Sequence, residues 1–173
     1  MERNERRTRV LTWAGFAIYV ILLIWVIVFK MQFYVPDLAS LHYRLPINLV
    51  PFGASVIANG RVYLPEIIEN VIAFIPFGLF VSMLAKRGGL WKSVVFGLLL
   101  SLAFETVQYA LAIGSADITD LITNTAGALI GALLWFPIRA LLKEKAGKVL
   151  SIILLAGELA VTVFLAILLI SNL

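Results

Sequence analysis

The chain has 173 residues, 62% of them hydrophobic and 14% charged, with a mean hydropathy of +1.02. That composition belongs to an integral membrane protein and leaves no stretch for a soluble domain, so one membrane domain over residues 1–173 is expected. The absence of cysteine excludes disulfides and thiolate metal sites, and the net charge of +4 is accounted for by membrane topology rather than by nucleic acid.

A bilayer core of ~30 Å takes roughly 20 apolar residues of helix. Five apolar runs fit, at about 11–33, 66–85, 90–113, 117–142 and 148–170. The short alternating strands of a spanning barrel do not appear. The expected fold is all-α, with five transmembrane helices and a short interfacial or re-entrant segment between the first and second. Arg3, Arg6, Arg7 and Arg9 precede the first span, a basic segment suited to lie on anionic headgroups. The first apolar run exceeds the ~7–15 residues of a signal-peptide core, so it reads as an uncleaved anchor. Residues 34–65 form the longest connection. Within it, 45–58 is apolar but interrupted by Pro46, Pro51 and Gly53. It is too short and too broken to span, and an interfacial helix or re-entrant segment covering the bundle end is expected.

The second span opens with Pro65 and Glu66 and carries Glu69 and Asn70 in its first turns, with Pro76 inside. Pro-Phe-Gly occurs at 51–53 and 76–78, too short a match to mark a repeat. The third span carries Gly97, Ser101, Glu105 and Gln108 on one stripe. After the turn Gly114-Ser115-Ala116, the fourth begins with Asp117, Asp120 and Asn124 on one face, and Ser115 or Asp117 is placed to cap it. That face continues as Gly127 and Gly131, a small-xxx-small step that admits a neighbouring helix. The fifth span holds one charge near its centre, Glu158. It reads either as a proton-relay or transport residue or, with no second ionisable residue at that depth, as a neutral acid bonded to a neighbouring helix, and the neutral reading is preferred. Eleven of the fourteen basic residues fall on one side of these spans, which puts the N-terminus in the cytoplasm and the C-terminus outside.

This topology gathers the polar side chains at the external end. Glu69, Asn70, Glu105, Gln108, Asp117, Asp120 and Asn124 come from three helices, and Arg44, Arg61 and Asn48 from the covering connection. Ionisable groups in a span are costly and face the bundle interior. Three readings stand side by side. In the first, Asp117 and Asp120 cap a helix while Glu105 is neutral or pairs with Arg44 or Arg61. In the second, the arginines and amides bind an anionic or sugar-bearing headgroup, to which arginine's planar fork is suited. In the third, Glu105, Asp117 and Asp120 are catalytic candidates, as acid and base or as ligands to Mg²⁺, Mn²⁺ or Ca²⁺. No cofactor is expected, a divalent cation being the open alternative. Zinc is disfavoured because His42 is the only histidine, and neither Ser55 nor Ser115 lies in a nucleophile-elbow pattern.

Four motifs together resemble the VanZ-like family of bacterial membrane proteins, named after an accessory protein of glycopeptide (teicoplanin) resistance. They are Asn48-Leu49-Val50-Pro51-Phe52; Asn70 followed by Phe74-Ile75-Pro76-Phe77-Gly78; Glu105 with Gln108; and Asp117, Asp120, Asn124, Gly127 and Gly131. They cover about residues 45–135, with the N-terminal anchor helix 11–33 and the C-terminal helix 148–170 outside them. The resemblance implies a multi-helix envelope protein linked to glycopeptide tolerance, without an established reaction. The family pattern places an arginine in the turn before the first aspartate. Here that turn is Gly114-Ser115-Ala116, so a basic partner is expected from Arg44 or Arg61. The leading expectation is an external pocket that binds a lipid-linked cell-wall precursor or a glycopeptide, in contact with membrane lipids and not with nucleic acid. The alternatives are an intramembrane enzyme acting on lipid headgroups and a structural or scaffolding membrane protein.

Overall fold

The computed structural model describes residues 2–28, 47–53, 57–58, 61–62, 64–85 and 87–171. Five α-helices carry the chain: α1 (Glu2–Ile27), α2 (Leu64–Leu84), α3 (Gly89–Ala110), α4 (Ile118–Leu142) and α5 (Ala146–Ser171). A two-residue ladder, β1 (Ile57–Ala58) with β2 (Arg61–Val62), precedes α2; it pairs antiparallel, Ile57 opposite Val62 and Ala58 opposite Arg61. Four helical stretches are long and apolar enough to cross a membrane: Glu5–Ile27, Leu64–Leu84, Gly89–Ala110 and Ile118–Leu168. The last contains α4 and α5, joined through a 3₁₀ turn at Lys143–Lys145 where Lys143 has φ 49°.

Several boundaries differ from the sequence expectation. The basic segment is not a separate arm: α1 begins at Glu2, so Arg6, Arg7 and Arg9 lie on its opening turns. The described part of the covering connection is not a helix. Pro51 offers no backbone donor, and Phe52 takes a left-handed φ of 54° in a turn closed by the Gly53 N–H on the Val50 carbonyl (3.1 Å). Phe77 and Gly78 lie inside the continuous α2 instead, so the two Pro-Phe-Gly runs adopt unrelated conformations.

The contacts fix each helix's direction. Phe16 packs on Phe77 and Phe80 with centroids 5.6 Å apart in both pairs, and the Tyr19 hydroxyl donates to the Ala73 carbonyl, so α1 and α2 run antiparallel. Ser93 donates to the Gly78 carbonyl (3.0 Å) at one end of α3, and Phe104 meets Phe74 edge-on at the other, so α3 also opposes α2. Gly127 lies against Val71 and Gly131 against Ile75, which makes α4 parallel to α2. Gly147 faces Thr8, Thr12 shares a hydrogen bond with Ser151 (2.7 Å) and Gly15 faces Leu155; α5 therefore climbs beside α1 in the same direction. Trp135, Ala146 and Leu150 pack with Leu79, where the chain reverses between α4 and α5.

The centre is the α2–α4 contact. A Cβ at Gly78 would overlap the Ala128 carbonyl, one at Gly127 the Val71 carbonyl and one at Gly131 the Ile75 carbonyl. The small-xxx-small step thus brings two backbones into contact, which side chains would prevent. Phe74 and Phe80 are fully enclosed beside it. Ile21, Ile72, Trp91 and Phe164 are among many large apolar residues that face outward, as lipid solvation requires.

Candidate functional site

The α3–α4 turn is built by backbone chemistry. After α3 the Ala112 N–H bonds the Tyr109 carbonyl (3.2 Å) and the Ile113 N–H bonds the Gln108 carbonyl (3.0 Å). These are the two bonds of a Schellman motif. Ala112 occupies its left-handed position, φ 53°, where glycine is usual. The chain then reverses, and Asp117 becomes the N-cap of α4: its Oδ1 accepts the Thr119 N–H at 2.8 Å. Of the two capping candidates, Asp117 takes the role.

Asp117 is also where the covering connection docks. Asn48 and Asp117 form an isolated parallel bridge, with the Asn48 N–H on the Ala116 carbonyl (2.8 Å) and the Ile118 N–H on the Asn48 carbonyl (3.0 Å). The Asn48 side-chain amide donates to both Asp117 oxygens, at 3.2 and 3.1 Å, and its Oδ1 accepts the Val50 N–H (3.1 Å). Thr119 secures the next turn of the cover by accepting the Phe52 N–H at 3.0 Å. From α3, Glu105 Oε2 accepts the Asp117 backbone N–H at 2.7 Å. Glu105 and Asp117 are 6% and 7% exposed, so two carboxylates are buried within one hydrogen-bonded cluster.

A pocket of about 280 Å³ opens beside this cluster. Glu105 and Asp117 line it with Asn48, and Leu102, Tyr109 and Leu121 supply apolar or aromatic wall. That volume lies at the lower end of small-molecule sites, roughly 300–1,000 Å³. It admits a fragment such as one ring or a short chain, not a whole lipid-linked precursor.

The other expected residues divide. Asn70 Nδ2 donates to Asp120 Oδ1 at 2.8 Å, a second amide–carboxylate pair one turn along α4. Gln108 is buried but donates to the Ile27 carbonyl (3.0 Å), tying the end of α1 to α3. Asn124 lies deeper: its Nδ2 donates to Ser101 Oγ (3.0 Å) at the α3–α4 interface, and its buried Oδ1 has no partner among the described residues. Glu69 is exposed on α2. Arg44, His42 and the Arg61 side chain lie outside the described residues, as does Ser55. Among the described residues no group of three His, Asp or Glu side chains is arranged to hold a metal. Sequence reasoning missed Thr119, whose place two residues after the cap gives no sign that it anchors the cover, and Tyr109, whose aromatic ring reads as ordinary bundle surface.

A bundle of long apolar helices whose capping aspartate, buried glutamate and docked asparagine converge at one end defines a membrane protein with a polar junction built into its helix ends. The VanZ/LLP1 family model matches residues 16–143, and the chain belongs to that family. It is 44% identical over 119 residues to Protein VanZ of Enterococcus faecium, which covers 69% of this chain and 70% of that one. No solved structure matches it. The match takes in the second half of α1, from Phe16, as well as the motif region from residue 45, and leaves α5 outside.

Proposed function

We infer that this chain is a bacterial cytoplasmic-membrane protein with five crossings, N-terminus inside and C-terminus outside, that contributes to teicoplanin tolerance by holding part of a lipid-linked cell-wall precursor or a glycopeptide at its external end. The contact directions support the five crossings: α5 runs parallel to α1, so α4 and α5 count as two spans. The basic residues at the opening of α1 and around the α4–α5 turn support the orientation. The observation that carries the ligand reading is the pair of buried carboxylates, Glu105 and Asp117, on the wall of the pocket under the Asn48 cover. Carboxylates at such a depth suit hydrogen-bond donors, such as sugar hydroxyls, peptide amides or an amine, while Leu102 and Leu121 suit an apolar neighbour.

The test is thermal stability of the purified protein with lipid-linked cell-wall precursors and with teicoplanin, beside teicoplanin susceptibility of cells carrying Asp117→Asn or Glu105→Gln. A ligand at a hundredfold excess over its dissociation constant adds ~2.7 kcal/mol. The expected result is a shift that both variants lose together with tolerance. Folded variants with full tolerance and unchanged ligand shifts would sink the reading. Turnover of a precursor, lost on chelation, would replace it with the intramembrane-enzyme alternative.

A further inference from the structure

The second large opening lies at the opposite, basic end. A crevice of about 1140 Å³ is lined there by the α1–α5 pair and the ends of α2 and α4. Its rim carries Arg7 and Arg9 from α1, Arg139 from α4, Lys143 and Lys145 from the 3₁₀ turn and Lys148 from α5. Glu5 and Glu144 are the carboxylates beside them, so six cations face two anions. The rest of the lining is partly apolar: Leu11 and Trp135 lie one turn further into the bundle than Arg7 and Arg139, and Met83 and Leu84 close α2. A topological signal requires only that basic residues lie on one side of the membrane. It does not require that they come from four separate elements to surround one crevice.

We propose that this crevice holds the phosphate-bearing headgroup of an anionic inner-leaflet lipid, which bridges the α1–α5 pair to the α2–α4 core. Three features select a lipid over a free phosphate. The crevice is far larger than one phosphate. Its cationic rim grades into an apolar wall, as the junction of headgroup and acyl chain does. It lies at helix ends, where the bilayer interface runs. Basic pockets between membrane helices suit such headgroups because arginine and lysine pair with phosphate while apolar wall meets the chains. The proposal uses only the basic end of the bundle and is independent of any ligand at the Asp117 end.

The probes are dioleoyl-phosphatidylglycerol, dioleoyl-phosphatidylcholine and inorganic phosphate, added to the delipidated full chain in detergent and followed by native mass spectrometry and thermal stability. Phosphatidylglycerol is expected to bind at least tenfold more tightly than phosphatidylcholine, to raise the melting temperature, and to weaken as salt rises. Lys148→Gln and Arg139→Gln should each weaken it about fivefold, the effect of one basic residue near a headgroup. Glu144→Gln removes no cation and should tighten it several-fold. Arg87→Gln, an exposed cation outside the crevice, should leave it unchanged. Equal affinity for the two lipids, or equal weakening by Arg87→Gln and Lys148→Gln, would overturn the proposal in favour of non-specific contact. Stabilisation by millimolar phosphate equal to that by phosphatidylglycerol would overturn it in favour of a soluble phosphate. If a glutamine variant fails to fold, Glu144→Gln and the salt dependence of the unaltered chain still decide.

Discussion

Asn48 and Asp117 are 69 positions apart, yet they meet through both backbone and side chain. The Asn48 amide spans the two Asp117 oxygens at 3.2 and 3.1 Å, and the flanking backbones exchange bonds at 2.8 and 3.0 Å. One residue therefore caps α4 and holds down the connection that covers it. Hydrogen bonds to a charged group contribute about 1.5–3 kcal/mol. Asn48→Ala should cost about that much in unfolding of the purified protein. It should also make the 47–53 segment a preferred site of limited proteolysis while the helical core stays resistant. Equal proteolysis of variant and parent would show that the backbone bridge alone retains the cover.

Glu105 separates a structural from a functional role by the size of its substitution. Its Oε2 accepts the Asp117 N–H at 2.7 Å, in a buried setting. Glu105→Ala leaves that donor without its acceptor and should destabilise by about 1–3 kcal/mol. Glu105→Gln keeps an acceptor oxygen, so its stability should lie within about 1 kcal/mol of the parent. A capping role alone predicts that the glutamine variant keeps full teicoplanin tolerance. The ligand reading predicts that it loses tolerance while still folded, because the negative charge has gone. Circular dichroism melts and susceptibility assays on the same two variants read both quantities.

The glycines give a prediction of opposite signs within one chain. A methyl at Gly127 would run into the Val71 carbonyl and the Phe74 Cβ, and α2 and α4 would have to part. Overpacking a tight core costs typically about 1–3 kcal/mol, so Gly127→Ala should destabilise by at least that. At Gly157 on α5 a Cβ would meet nothing within 4 Å. There alanine's helix preference acts alone, and Gly157→Ala should stabilise by up to about 1 kcal/mol. Thermal melts in one detergent compare the pair directly. A neutral Gly127→Ala would mean that α2 and α4 separate at little cost.

These cases also show why part of the site was legible from sequence and part was not. Asp117, Asp120 and Asn124 occupy one helical face by spacing alone, and Gly127 with Gly131 predicts a close helix neighbour. Periodicity reports a face, however, and not what meets it. Asn124 was expected at the mouth with the aspartates, but one further turn takes it to Ser101 inside the α3–α4 contact. Gln108 shares a stripe with Glu105, yet it turns to the last carbonyl of α1, which no local pattern specifies. The covering connection was expected to be helical or re-entrant because it is apolar. Its described part is not a helix and docks through an extended backbone bridge, satisfied by Ala116, Ile118 and Thr119, while Ile47, Leu49, Val50 and Phe52 stay exposed. Long-range pairing of this kind depends on two distant segments at once, so neither shows it alone.

Glu158 is an exception to the rule that buried polar groups are hydrogen-bonded. It is 8% exposed within α5, and both carboxylate oxygens lack a hydrogen bond among the described residues. The expectation of a bond to a neighbouring helix is therefore not met there. The nearby Thr162 hydroxyl donates to the Glu158 backbone carbonyl instead (2.7 Å), and the Tyr19 hydroxyl on α1 is engaged by Ala73. An unpaired polar group in an apolar setting costs folding energy, roughly 1–3 kcal/mol by mutational data. Glu158→Leu, close in volume and free of that cost, should raise stability by about 1 kcal/mol or more, and Glu158→Gln should change it little. Violations of this kind persist where function requires them. A leucine variant that melts higher and keeps full tolerance would mark Glu158 as dispensable. One that melts higher and loses tolerance would place a working acid on α5, outside the matched family region. A leucine variant that melts lower would mean that the carboxyl is stabilised in the folded protein, and would overturn the prediction.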